Sequence, residues 1–193
     1  TSMALTFSRV DHDGIFPNAS FDKTSISLGA RSQFESGLRM GANLSYINSI
    51  QQGLQGGAIG SASTSSFMAR TFYQRRNWDL HGQPFEDPVT HESIFMIARG
   101  NADNPLWSAK YNGFKSDVNR YVVNVNAGYA FNKWLDVDYR VGINNYSQGD
   151  LEWFRPGSRG AGGLGSVTDL TTSFKEIEST LILNKKKRFN DKI

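Results

Sequence analysis

The chain has 193 residues, 38% hydrophobic and 20% charged, with a formal net charge of +3 and a mean hydropathy of −0.45. No apolar run approaches the roughly 20 residues of a membrane-spanning helix, and a sequence without cysteine excludes disulfides and thiolate metal sites. A pI near 9.2 is too mild a bias to imply nucleic acid.

Residues 1–5 (TSMAL) lack the basic and apolar regions of a signal peptide, so an exported chain would be either mature or a piece of something longer. Leu5 and Phe7 open an alternating run that predicts a strand over about 3–10. Asp11-His12-Asp13-Gly14 and Pro17-Asn18 supply turn chemistry. Ile26, Leu28 and Ala30 alternate with Ser25, Ser27, Gly29 and Arg31, predicting a strand over 23–34, and Glu35-Ser36-Gly37 is a short reversal. Leu38, Met40, Ala42, Leu44 and Tyr46 then alternate with Arg39, Gly41, Asn43 and Ser45 in a strand over 38–48.

The rhythm breaks over 49–118, which reads as a long loop. It starts with a Gly/Gln/Ser-rich stretch at 51–63, followed by one short helix with Ser65 or Ser66 as N-cap and Phe67, Met68, Phe72 and Tyr73 on its apolar side. Pro84, Pro88 and Asn104-Pro105 punctuate the remainder. The strongest signal follows. Tyr121, Val123, Val125, Ala127, Tyr129 and Phe131 alternate with small or polar residues, and after Asn132-Lys133-Trp134 so do Leu135, Val137, Tyr139, Val141 and Ile143. This predicts a hairpin of strands over 119–131 and 135–146. A Gly-rich loop over 147–171, a last strand over 172–184 with Ile177, Leu181 and Leu183 in phase, and the basic run 185–188 complete the chain.

The fold class is therefore all-β and antiparallel. Short turns near Ser36 and Lys133 alternate with long loops, and aromatics mark the strand ends: Phe34, Phe131 and Trp134 at one end, Tyr46, Tyr121 and Tyr146 at the other. Such asymmetry and paired aromatic girdles belong to outer-membrane barrels. The apolar phases of the four central strands carry no charge, whereas the opposite phases hold Arg31, Arg39, Asp136, Asp138 and Arg140. A cation on a lipid-facing phase would cost about 2–4 kcal/mol at the midplane. Six strands do not close a membrane barrel, so the chain is expected either to be soluble or to form part of a larger wall.

Four stretches carry a resemblance: 38–49 (LRMGANLSYINS), 104–107 (NPLW), 119–146 (NRYVVNVNAGYAFNKWLDVDYRVGINNY) and 154–158 (FRPGS). In order and spacing the chain resembles SusC/RagA-type TonB-dependent outer-membrane transporters of Bacteroidetes. The resemblance covers most of the chain. It implies a segment of a transmembrane barrel of about 22 strands, with long extracellular loops and no plug or TonB box of its own. It further implies import of an oligosaccharide or peptide, a SusD-like surface lipoprotein as partner, TonB engagement through the missing plug, and contact with lipid and lipopolysaccharide.

The candidate ligand-binding residues are the loop aromatics Trp78, Trp107, Tyr111 and Trp153, which either stack on cargo or pack the long loops together. His12, His81 and His91 lack metal-ligand spacing, so no metal and no cofactor are expected. Asp11/Asp13 and Asp136/Asp138 are read as solvated or salt-bridged carboxylates, the Gly-rich stretches 53–60 and 157–165 as flexible loop without a phosphate-loop Lys-Ser/Thr, and the run 185–188 as a solvated anchoring cluster. No nucleophile–base constellation is visible, so an enzyme is not expected. The rival readings are a soluble β-sandwich carbohydrate-binding module and an outer-membrane structural or adhesion barrel without TonB coupling.

Overall fold

The structure, a computed structural model, describes residues 1–54, 66–96 and 102–186. Most of the stretch 51–63, the N-cap candidate Ser65 and the end of the basic run lie outside the described residues. The described strands are β1 (Ser2–Asp13), β2 (Ser20–Gln33), β3 (Leu38–Gly53), β4 (Gly113–Asn132), β5 (Leu135–Phe154) and β6 (Ser166–Lys185). They form one antiparallel sheet in the order β1-β2-β3-β4-β5-β6, every strand beside its sequence neighbours. The sheet is open: among the described residues β1 and β6 each have one unpaired edge, and no second sheet covers either face.

The register aligns the apolar phases of all six strands. Leu5, Leu28, Leu44, Val123, Ile143 and Ile177 form one cross-strand row, and Met3, Ala30, Ala42, Val125, Val141 and Ser179 form the next. On β3 the band runs from Leu38 to Tyr46, about 27 Å along the strand. Charge returns to this face at the margins of the band and beyond, at Arg9, Asp22, Lys115 and Lys175 toward the long connections and at Lys185 toward the short turns. The band is open to solvent, with Leu44 46% and Val125 44% exposed.

The opposite phase is polar and lies on the inside of a curl. A cavity of about 930 Å³ is bounded by residues of all six strands, including Ser2, Arg31, Arg39, Asn126, Arg140 and Thr180. Packing on this side explains the glycines. A Cβ on Gly41 would sit 2.5 Å from Asn126 Oδ1, and one on Gly128 would sit 2.9 Å from an Arg39 guanidinium nitrogen. The small residues leave room for their neighbours' large polar side chains on the crowded inner surface. Arg39 uses that room to reach Asp136 at 2.7 Å and Asp138 at 3.2 Å, stitching β3 to β5 across β4.

Turn chemistry fixes the ends. Gly37 (φ +87°) closes the β2–β3 reversal, its N–H bonded to Phe34 O at 3.1 Å. Asn132 Oδ1 accepts from the N–H groups of Trp134 and Leu135 at 3.0 and 2.8 Å, setting the tight β4–β5 turn. The register shifts between Ala130 and Asn132, which makes Phe131 the extra residue of a bulge.

Three expectations change. The strands run further than 38–48, 119–131, 135–146 and 172–184, reaching Gly53, Gly113, Phe154 and Ser166. Beyond the band polar and apolar residues mix on both faces, so alternation vanishes while the hydrogen-bonded ladder continues; the long connections between strands shrink from 49–118 and 147–171 to 54–112 and 155–165. Secondly, among the described residues the loops hold two α-helices where one helix was expected: α1 (Phe67–Tyr73) and α2 (Pro105–Tyr111). Asn104 caps α2 by accepting from Leu106 N–H at 2.9 Å, with Pro105 in the first turn, so Asn-Pro starts a helix here. Ser66 is the cap of α1. Thirdly, Tyr146 does not share a face with Tyr46 and Tyr121. Those two pack on the apolar side at 4.9 Å, whereas Tyr146 stacks on Phe174 at 5.4 Å on the inner side.

Candidate functional site

The β1–β2, β3–β4 and β5–β6 connections all leave the same end of the sheet, and there they build a small body of their own. Its apolar centre is Trp107, with Ala69, Leu80, Phe95 and Ala109 also buried. Trp107 is 1% exposed; its indole N–H donates to His91 O at 2.9 Å, and its ring meets Tyr111 at 5.2 Å between centroids. A polar lock joins the two long loops. Ser158 donates to Asp103 Oδ2 at 2.7 Å, and the Arg159 N–H donates to the same carboxylate at 3.1 Å. Asn112 spans the junction: its amide N–H₂ reaches Ser108 and Ser158 oxygens at 3.2 and 3.1 Å, and its carbonyl accepts from Arg155 N–H at 2.9 Å. Asp103, Asn104, Ser108, Asn112 and Ser158 are all buried, so these bonds satisfy groups that water cannot reach. The shortest connection joins too, with Asn18 donating to Ala109 O at 2.9 Å.

Charge finishes the outer side. Glu86 accepts from Lys110 Nζ at 2.8 Å and from the Tyr111 hydroxyl at 2.7 Å. These two bonds hold the Glu86 carboxyl below its ordinary value, and Glu86, with the Tyr111 side chain, holds Lys110 above its own. Asp87 is also lowered, by the backbone N–H groups of Thr90 and Val89. A depressed carboxyl contributes stability above the unfolded-state pKa of about 4.3 and loses it as pH falls through the folded value. Acidification from pH 5 to pH 3 should therefore reduce amide-exchange protection in residues 85–93, once intrinsic rates are divided out. Glu86→Ala should show the reduced protection already at pH 7, and an unchanged Glu86→Ala profile would contradict the assignment.

The four expected aromatics do not assemble into one platform. Trp107 and Tyr111 touch, but Trp107 offers no ring face to a ligand, and Arg155 covers Tyr111 at 4.0 Å from its centroid. Trp78 sits edge-on to Phe95 at 6.0 Å. Trp153 lies on β5 rather than in a loop, its ring filling the space over Gly113. The packing role of Trp107 and Tyr111 is thus the one the geometry displays. Asp103 and Asn112 had no role at the level of sequence, although they lie on either side of the NPLW stretch, and Ser158 entered only as the last residue of FRPGS.

The second candidate surface is the concave polar wall with its cavity of about 930 Å³. There Arg39 is consumed by Asp136 and Asp138, whereas the side chains of Arg31, Asn126 and Arg140 make no hydrogen bond or ion pair among the described residues. A smaller apolar cavity of about 300 Å³, lined by Phe16, Phe21, Phe67, Met68 and Phe114, lies at the loop end. Among the described residues no helix is long and apolar enough to cross a membrane, which says nothing of strands.

No known protein-family profile matches the chain, and no curated protein matches it.

Proposed function

We propose that this chain is a wall segment of a SusC/RagA-like TonB-dependent transporter in a bacterial outer membrane, importing oligosaccharides or peptides. One observation carries the reading: the sheet curls with its polar phase inside and an uncharged apolar band outside. A soluble barrel or sandwich turns its apolar phase inward, toward a core; only a sheet surrounded by lipid gains from the reverse. The band is about 20 Å high once the strands are tilted by about 40°, slightly less than the about 25 Å of outer-membrane barrels. Exposed Phe34, Phe131 and Trp134 border it at the short-turn end, with Lys185 Nζ 5.9 Å from the Trp134 ring.

In lipid the free edges of β1 and β6 would each leave a row of backbone groups unbonded, so the wall continues on both sides toward the about 22 strands of such transporters. The loop body faces the outside, where a SusD-like lipoprotein would sit; cargo passes along the polar wall, and TonB acts through a plug carried elsewhere in the protein. Expression of the complete reading frame in an outer-membrane-bearing host tests this. The protein should fractionate with the outer membrane, require detergent, and support oligosaccharide or peptide uptake that stops when TonB is deleted. Recovery as a water-soluble monomer would reject the membrane reading, and TonB-independent outer-membrane residence without uptake would favour a structural or adhesion barrel.

A further inference from the structure

We propose that the inner wall holds an oxyanion site, built from Arg31, Asn126 and Arg140, that selects cargo bearing a carboxylate or phosphate. This inference rests on the transporter reading and adds a substrate class to it. The three side chains occupy one line of the ladder: Arg31 pairs with Gly41, Gly41 with Asn126, and Asn126 with Arg140. Three strand spacings separate the two arginines, about 14 Å at the backbone, and the curl turns both side chains toward a shared cavity of about 930 Å³. Gly41 carries no side chain between them, and Asn126 lies across the gap, its Oδ1 2.5 Å from where a Gly41 Cβ would be.

The charges around the site decide its preference. Arg39, the other arginine on the cavity wall, is neutralised by Asp136 and Asp138 at 2.7 and 3.2 Å. Arg31 and Arg140 have no such partner among the described residues, so two guanidinium forks remain available for planar, bidentate oxygens. Glu178 is the other carboxylate on the cavity wall; it faces Gly142 on β5 and makes no ion pair with Arg140. It therefore repels an anion from the β6 side and places the favoured position over Gly41, between the arginines. A neutral sugar can accept hydrogen bonds here but brings no charge to either arginine.

The test is calorimetric titration of the full-length protein, purified in detergent, with inorganic phosphate, with glucuronate, and with glucose as the neutral control. Phosphate and glucuronate should bind and glucose should bind far more weakly, with the preference falling as salt rises. Arg31→Gln and Arg140→Gln should each weaken anion binding roughly ten-fold or more. Arg31→Lys should recover part of the loss, and Glu178→Gln should tighten binding. Heat-modifiable electrophoretic mobility shows that each variant keeps its barrel. Equal affinity for glucose and glucuronate, or anion binding unchanged in the Arg31→Gln/Arg140→Gln double variant, would overturn the site. A normally localised, uptake-competent protein with either of those results would separate failure of this site from failure of the transporter reading.

Discussion

Trp107→Ala should open the loop body while leaving the sheet intact, at a local cost of about 3–5 kcal/mol, the usual range for removing a fully buried large aromatic. Three contributions act together. The indole leaves a cavity at the centre of the body; His91 O loses its 2.9 Å donor; and Tyr111 loses the ring that supports it 5.2 Å away. Tyr111 in turn holds Glu86 at 2.7 Å and lies under Arg155, so the disturbance passes to the other long loop. The expected readout is limited proteolysis. Cleavage within 85–112 and 155–165 should rise together, whereas residues 20–53 stay protected by their ladders. Trp78→Phe provides the contrast, because the Trp78 indole nitrogen is buried without a partner among the described residues and its loss removes no hydrogen bond there. Independent cleavage of the two loops in Trp107→Ala, or none, would mean that they are not one body.

A second route leads to the same state. Asp103→Ala removes the acceptor shared by the Ser158 hydroxyl and the Arg159 N–H. A donor left without a partner costs about 1–3 kcal/mol, so losing both is of the same order as losing the Trp107 core, and the lock couples the same two loops. The arrangement gives the long loops a defined shape at one end of the sheet, which a binding surface needs and a bare linker lacks.

Different physical signals account for what the residues reveal and what they conceal. The six strands were readable wherever one face was apolar, because a period of two then survives in a single sequence. Above the band that contrast disappears, and Asn145, Ser147, Gln148 and Asp150 look like loop although they are paired with β4 and β6. Parity alone places Tyr146: even positions of β5 are inner, as Asp136, Asp138 and Arg140 show. The direction of curl also leaves a trace, since Gly29, Gly41, Gly128 and Gly142 all fall in the polar phase, the side that must fit the smaller radius. Helix α2 was legible in principle from Asn104-Pro105, but seven residues are too few for a 3.6-residue period to declare itself. The Asp103–Ser158 lock was not legible. Its partners are 55 residues apart, and nothing local in either stretch announces the other.

Val125→Arg and Asn43→Arg form the sharpest pair of variants, because they put the same charge on opposite faces of adjoining strands. Val125 lies in the second row of the band, beside Ala42 on β3 and Val141 on β5, and Asn43 lies one residue further along β3 on the polar face. In water both positions are open, and a surface arginine at either would shift stability by no more than about 0.5 kcal/mol. In a membrane the symmetry breaks. An arginine replacing Val125 would meet hydrocarbon and cost about 2–4 kcal/mol, whereas one replacing Asn43 would join a polar wall that already carries Arg31 and Arg39. The expected result is reduced folding of Val125→Arg into lipid vesicles, read by heat-modifiable mobility and urea titration, with Asn43→Arg close to wild type. Leu44→Arg, in the same band, should repeat the Val125→Arg loss. The identity of the surrounding medium is thereby converted into a difference between two faces of one sheet. Equal behaviour of the two arginines would place both faces in water and remove the basis for a membrane wall.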